Sequence, residues 1–367
     1  MEFGLSEEQR MLADSMRRFA DERVDPERLK AMVDGGDIAN RELLSGLAEL
    51  GAFGILTPEE HGGSGMTLLD ACLVQQALGR NAVPLPFTAS AIVAPLALIA
   101  GNSDAAAQWL PALASAERRL GIGLSEAAGR RSGTGVAVTA DEATGVARFV
   151  IDGLGADGWI LATEGDGLIL VEADASGAEC LALTTIDHSR SVVELRLQDA
   201  PCTTLVAPGA DAAVVPRLLA AGRVALAFDS LGAAERMLDR AVAYSLERKQ
   251  FGRVIGSFQA VKHLCAEMAA EIEPCHSLLW YAAYAAEAYP EEFQLMACHA
   301  KAHTGEVGQF VARSATEVHG GMGFTHEMGL HYFFKRIGLN RQLLGNPDQV
   351  RQHAAALQGW QRTAAAW

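Results

Sequence analysis

The sequence predicts an α+β chain in three regions: a helical N-terminal domain (1–117), a small antiparallel β-barrel in the middle (118–208) and a C-terminal four-helix bundle (209–367). Three observations carry this. Up to residue 117 the apolar residues recur at helical spacing. From 118 to 208 they come in short alternating runs (LGIGLSE, GVAVTA, ARFVIDGL, WILATE, GLILVEA, LALTTI, SVVELRL), parted by Gly, Asp and Ser turns. Beyond 210 the long helical pattern returns, near 211–247, 257–287, 290–318 and 346–365.

The elements follow in order. Ser6-Glu7-Glu8-Gln9 is a capping-box pattern, and Met11, Leu12, Met16 and Phe19 continue it as a helix. A second helix covers Arg41 to Leu50 and stops at Gly51. His61-Gly62-Gly63-Ser64-Gly65 is a loop feeding a helix that starts at Thr67 or Leu68. Helices from about Ser90 to Ile99 and Ser103 to Ser115 complete the first region. In the β region, Asp152-Gly153 and Asp166-Gly167 are hairpin-turn signals.

The chain of 367 residues is half hydrophobic, and its 30 Lys+Arg against 45 Asp+Glu leave a net charge of −15. Such an acidic surface makes a poor partner for nucleic acid or anionic lipid, so an anionic ligand must be held by local groups. The six cysteines have no CxxC or zinc-type His spacing and read as reduced thiols of a cytoplasmic protein. The acidic, polar start MEFGLSEEQR has no signal-peptide character. The apolar run 89–100 falls short of the roughly 20 residues that span a bilayer, and Pro95 interrupts it. A soluble chain, with no membrane or nucleic-acid partner, is expected.

The most informative stretch is AVAYSLERKQFGRVIGSFQ, 241–259. Glu247, Arg248 and Lys249 close one helix, Phe251-Gly252 turns the chain, and Ser257 is positioned to cap the next helix. The corner presents a guanidinium (Arg248), a ring (Phe251) and an amide (Gln259). That set can hold a flat anionic ligand such as a nucleotide, although a surface charge cluster explains the same residues more simply.

ERKQFGRVIGSFQAVKH, with the later GGMGFT, resembles the ERxxFG…FQ signature of acyl-CoA dehydrogenases, and the resemblance spans nearly the whole chain. It implies an FAD-dependent α,β-dehydrogenation of an acyl-CoA thioester, with an electron-transfer flavoprotein as redox partner. It also implies that Arg248, Phe251 and Gln259, with Gly320 and Gly321, grip the FAD of a neighbouring subunit. Glu317 stands where the family's QxxGGxGy segment has Gln.

Measured against that family, parts are missing. The reaction needs a carboxylate base with a pKa raised toward neutrality. Counted from Gly320-Gly321, the usual Glu position falls on Leu344. The alternative position, before an Arg that resembles Arg223, is Gly222. Asp229, two turns further along the same helix, is the remaining local candidate, against the plainer reading of a buried or capping carboxylate. The flavin-facing TEPxAGSD-like loop is reduced to LSEAAGRRSGTG, with Arg130-Arg131 departing from the pattern. The W-[IS]-T segment is deleted, and Trp159 reads as the core aromatic of the following strand before it reads as a displaced flavin contact. His61, His319 and His326 read as loop or helix-end residues before they read as acid–base groups.

Catalytic residues in this chain are therefore expected to be absent. The resemblance implies the degenerate chain of a bacterial α2β2 heterotetramer, acting on fatty or steroid acyl-CoA and completing the FAD site of a paralogous partner. Two alternatives stay open: a self-sufficient homo-oligomeric flavoprotein with a relocated base, and a non-catalytic acyl-CoA- or partner-binding protein.

Overall fold

A computed structural model describes residues 4–129 and 131–360. The first region packs α1 (Glu7–Arg23), α2 (Pro26–Gly35), α3 (Arg41–Glu49), α4 (Leu68–Arg80), a π-helical turn (Thr88–Val93), α5 (Ala94–Ala100) and α6 (Ser103–Ala114). The starts follow side-chain chemistry. Ser6 and Gln9 close the capping box of α1, and Thr67 with Asp70 does the same for α4. α2 lay outside the expected set, yet it carries Asp25 as N-cap, Pro26 at its first position and Gly36 in the left-handed conformation after it. Its signals are punctuation, and its ten residues were too few for a clear period.

The middle region holds β1 (Leu120–Gly123), the single turn α7 (Ser125–Ala128), β2 (Gly135–Thr139), β3 (Glu142–Ile151), β4 (Gly158–Ala162), β5 (Leu168–Glu172), β6 (Ala178–Ala182), β7 (Val192–Pro201) and β8 (Thr203–Val206). Hydrogen bonding runs β6-β7-β3-β1-β4-β5-β8, with β2 on β3. All pairs are antiparallel except β1 with β4, because the β2–β3 hairpin is inserted between them and returns the chain in the same direction. Asp166-Gly167 lies in the tight β4–β5 hairpin, as expected. Asp152-Gly153 does not make a hairpin: β3 and β4 are separated by β1, and Asp152 turns inward as a buried carboxylate.

The last region is built on α8 (Val214–Glu247), which packs against α4, α9 (Gln259–Ala288), α10 (Pro290–His319) and α11 (Leu330–Gln342); α12 (Pro347–Leu357) lies on α10. α11 was not foreseen, and the part of the last helix expected beyond 360 lies outside the described residues. Glycines set the closest approach: a Cβ on Gly79 would stand 2.3 Å from the Asp229 carbonyl, and one on Gly232 2.1 Å from that of Gln76. α4 and α8 therefore touch backbone to backbone, which brings side chains of three regions together around Asp229. Between α8 and α9, β9 (Lys249–Gln250) and β10 (Arg253–Val254) form a two-residue hairpin turned by Phe251 and Gly252, both at positive φ. Ser257 does not cap α9: its hydroxyl donates to the Val254 carbonyl, and Phe258 holds the N-cap position.

Candidate functional site

The two positions where a proton acceptor was sought meet in space. Leu344, 2% exposed, lies in the α11–α12 loop, and its Cδ1 would be 2.6 Å from a Cβ on Gly222 of α8. One volume serves both positions, and an alkyl group fills it. Leu344 is at φ 57°, unusual for a non-glycine residue. The loop is secured from behind by two buried cations. Arg223 Nε donates to the Leu344 carbonyl at 2.9 Å. Lys301 Nζ donates to the carbonyls of Gly345 (3.3 Å) and Arg341 (3.2 Å). Neither cation has a carboxylate partner among the described residues. Arg223 instead reaches Cys298 Sγ (3.3 Å) and His353 Nδ1 (2.9 Å). Burial, aided by Arg223 and Arg341, pulls the Lys301 ammonium down to about 7.

Asp229 is wholly buried and fully engaged. Arg336 donates to both its oxygens (2.8 and 3.1 Å), and Asn340 (2.6 Å), Gln75 (2.7 Å) and Arg190 (3.4 Å) complete the shell. Burial would raise its pKa, but the charges of Arg336 and Arg190 and the hydrogen bonds from Arg336 and Asn340 outweigh it and hold the group at about 2. Such a carboxylate is a poor proton acceptor near neutral pH, and its geometry is that of a buried structural carboxylate. Arg190 also pairs with Asp152 (3.5 Å), which accepts from the Ala89 amide of the π-helical turn at 3.2 Å. For Asp152 burial outweighs Arg190, and its pKa is raised. This cluster joins α4, the π-helical turn, the middle sheet, α8 and α11.

On the middle-domain side, a cavity of about 280 Å³ opens between Ser125, Gly129, Arg131 and Phe149 and the loop residues Leu344 and Gly345. The Ser125 hydroxyl is spent on the Phe149 carbonyl (3.1 Å), and the Arg131 guanidinium lies 4.9 Å from the Phe149 ring centroid. Arg130 lies outside the described residues. The space is at the lower edge of the roughly 300–1,000 Å³ typical of small-ligand sites. It does not fit a whole dinucleotide. Trp159 is in the core, with its indole N–H on the Gly153 carbonyl (2.9 Å).

The outer corner differs. Arg248, Gln259, Gly320 and Gly321 are exposed, and Phe251 is 91% exposed. Tyr244, one turn before Arg248, stacks on His319 at 4.5 Å, which sets the β9–β10 corner beside the Gly320-Gly321 turn. The side chains of Arg248 and Gln259 make no hydrogen bond or ion pair with any described residue. The first-turn amides of α9 have no side-chain cap. A guanidinium, an amide, a helix N-terminus and an aromatic ring suit a diphosphate with a flat base, so these residues fit the outward half of an FAD site. Glu317, also exposed on the last turn of α10, opposes that charge. His319 is buried, with Nδ1 2.7 Å from the Ala315 carbonyl; burial keeps its pKa low. His326 lies against His331 at the surface, and His61 sits in a short 3-10 turn. Among the described residues no cluster of His, Cys, Asp or Glu is placed to hold a metal.

Sequence reasoning missed Arg190, Arg336 and Lys301. Their signal was faint: each reads as an ordinary charged residue of a helix or strand end, and its partner lies far away in sequence.

Comparison with known proteins agrees with this architecture. Residues 6–117 match the family model "Acyl-CoA dehydrogenase, N-terminal domain" and 212–356 match "Acyl-CoA dehydrogenase, C-terminal domain". The chain is 31% identical to the acyl-CoA dehydrogenase FadE34 of Mycobacterium tuberculosis over 89% of its own length, but spans only 43% of that protein. It is 30% identical to the acyl-CoA dehydrogenase IpdE2 of Mycolicibacterium smegmatis, covering 95% of this chain and 98% of that one. A chain of the ChsE4-ChsE5 complex from Mycobacterium tuberculosis superposes with a TM-score of 0.88 at 26% identity, over 100% of both chains. Among the described residues no helix is long and apolar enough to cross a membrane. With the helical, sheet and bundle regions in that order and the matches covering both helical regions, the chain belongs to the acyl-CoA dehydrogenase family.

Proposed function

We propose that this chain is a subunit of an FAD-dependent acyl-CoA dehydrogenase and completes the FAD site of a partner chain that supplies the carboxylate base. The observation that carries this reading is the contact between Leu344 and Gly222: the volume open to either base position holds an alkyl group, and Asp229 is locked among cations. The free outer corner supports it from the other side. Arg248 and Gln259 bind and orient the partner's diphosphate, Phe251 packs on it, and the Gly320-Gly321 turn lets the cofactor approach the backbone. Bound FAD would supply the hydride acceptor. Electrons would leave to an electron-transfer flavoprotein. A likeness to one chain of the ChsE4-ChsE5 complex favours a paralogous partner over a second copy. The substrate of this reading is a fatty or steroid acyl-CoA thioester, acted on in the cytoplasm; a similar solved structure titled a steroid ACAD, 28% identical, supports the steroid class.

The test is flavin content per chain. The protein expressed alone is expected to be colourless. Co-expressed with a paralogue that carries the Glu, it should yield a yellow complex that oxidises acyl-CoA. A yellow, active lone chain would establish the homo-oligomeric reading instead. A colourless, inactive mixture would leave a binding role.

A further inference from the structure

The outer corner is assembled from two stretches far apart in sequence, and a ring pair joins them. Arg248 caps the C-terminus of α8, its amide donating to the Tyr244 carbonyl at 2.9 Å. Its own carbonyl accepts from the Ile255 amide at 2.8 Å, which ties the returning hairpin to the same turn. The chain passes close there: a Cβ on Gly256 would stand 2.9 Å from the Ser245 carbonyl. The Tyr244 ring stacks on that of His319 at 4.5 Å, with 24° between the planes. His319 ends α10, and Gly320 follows at φ 60°. The turn then folds back on the helix: a Cβ on Gly323 would stand 2.6 Å from the Thr316 carbonyl and 3.1 Å from the His319 Cβ.

The imidazole does more than fill volume. It is buried, and its Nδ1 lies 2.7 Å from the Ala315 carbonyl, an acceptor, so Nδ1 carries the proton. Nε2 is then a buried acceptor with no partner among the described residues. Such an orphan costs the fold free energy, and a phenyl ring in its place would not carry that cost. What the imidazole adds is orientation: its hydrogen bond to Ala315 sets the plane on which Tyr244 lies.

We propose that Tyr244 and His319 are positioning residues. They touch no cofactor; their stack fixes the spacing between the Arg248 guanidinium and the Gly320-Gly321 backbone, between which the partner's diphosphate is held. This rests on the FAD-completing reading above and deepens it. Arg248 is a long exposed side chain, and a rigid base beneath it leaves less to be ordered when the diphosphate arrives.

The test uses the complex co-expressed with the Glu-bearing paralogue and reads FAD release during dialysis, beside thermal unfolding of the lone chain. Tyr244→Leu fits a helix and keeps bulk but not the stack. It should release FAD about 3- to 10-fold faster, the scale of an aromatic pair. Tyr244→Phe should restore parental retention. His319→Phe should also speed release, while the lone chain unfolds at the parental temperature or above it, since the orphan is gone. In an Arg248→Ala background Tyr244→Leu should add less than about twofold, because it acts through the placement of that guanidinium. Full additivity, parental retention by Tyr244→Leu or His319→Phe, or faster release by Tyr244→Phe would overturn the proposal. So would a His319→Phe chain that loses stability and FAD together, as a residue that only packs would. Parental retention by Arg248→Ala would overturn the FAD reading itself and this proposal with it. Weakened retention by Arg248→Ala beside parental retention by Tyr244→Leu would remove the positioning role alone.

Discussion

Leu344 Cδ1 occupies the space into which a side chain at position 222 would grow, 2.6 Å from where its Cβ would be. The two positions are therefore one site reached from two elements. A Glu at 222 would be forced into Leu344 and should destabilise the fold by about 1–3 kcal/mol, as overpacked cores do. Leu344→Ala alone opens a cavity and should cost about 2–5 kcal/mol. Together they should cost less than the sum, by about 0.5–3 kcal/mol of coupling, because each relieves the other. Urea unfolding of the four proteins in the cycle measures this. Additive losses would mean that the side chains do not share the volume.

Asp229 links three regions through two guanidinium groups, and removing the carboxylate leaves both buried without it. Asp229→Ala should destabilise by about 3–5 kcal/mol, the usual penalty for breaking a buried pair from one side. The sign of its pH dependence follows from its pKa, depressed from 3.8 to about 2 in the folded chain. The stabilisation is complete above about pH 4 and is lost as pH falls toward 2. Asp152 titrates in the opposite sense, so the comparison must be wild type against Asp229→Asn over that window. Parallel acid-unfolding curves would show that the carboxylate is not held as described.

Lys301 gives the opposite profile. Its folded pKa of about 7 lies below the ordinary 10.5, so the folded chain binds fewer protons than the unfolded chain between those values. Stability therefore rises with pH across that window, by at most about 1.4 kcal/mol per pH unit, and the contribution is flat below 7. Lys301→Met should remove that slope whatever it does to stability at one pH, since two carbonyls lose their donor. Chemical denaturation of both proteins at pH 6, 7, 8 and 9 reads the difference. An unchanged slope would place the ammonium in contact with water.

These residues also mark what the sequence could and could not convey. The three-part order was legible because periods of 3.6 and 2 are local, and the capping box at Ser6 and the turn at Phe251-Gly252 are local as well. The lack of carboxylates at 222 and 344 could be read from spacing, but not that the two positions touch. That contact depends on how α8 meets a loop 122 residues later. Asp152 was mistaken for a turn residue because Asp-Gly is a hairpin signal wherever it occurs, and only the strand order puts its carboxylate beside Arg190.

Arg248 and Glu317 pull the outer corner in opposite directions. Arg248 is exposed and its side chain has no partner among the described residues, so removing it should cost the fold little, and its effect should appear only when a diphosphate is present. In the complex, Arg248→Ala should weaken FAD retention by about 1.5–3 kcal/mol, the range for a hydrogen bond to a charged group. Glu317→Gln should act the other way, strengthening retention by removing a carboxylate from an anion site, and its gain should shrink at high salt, because exposed charges are screened. Flavin release during dialysis at low and high ionic strength separates the two. If Arg248→Ala retains flavin as well as the parent complex does, the corner is a surface charge cluster and the partner's cofactor is held elsewhere.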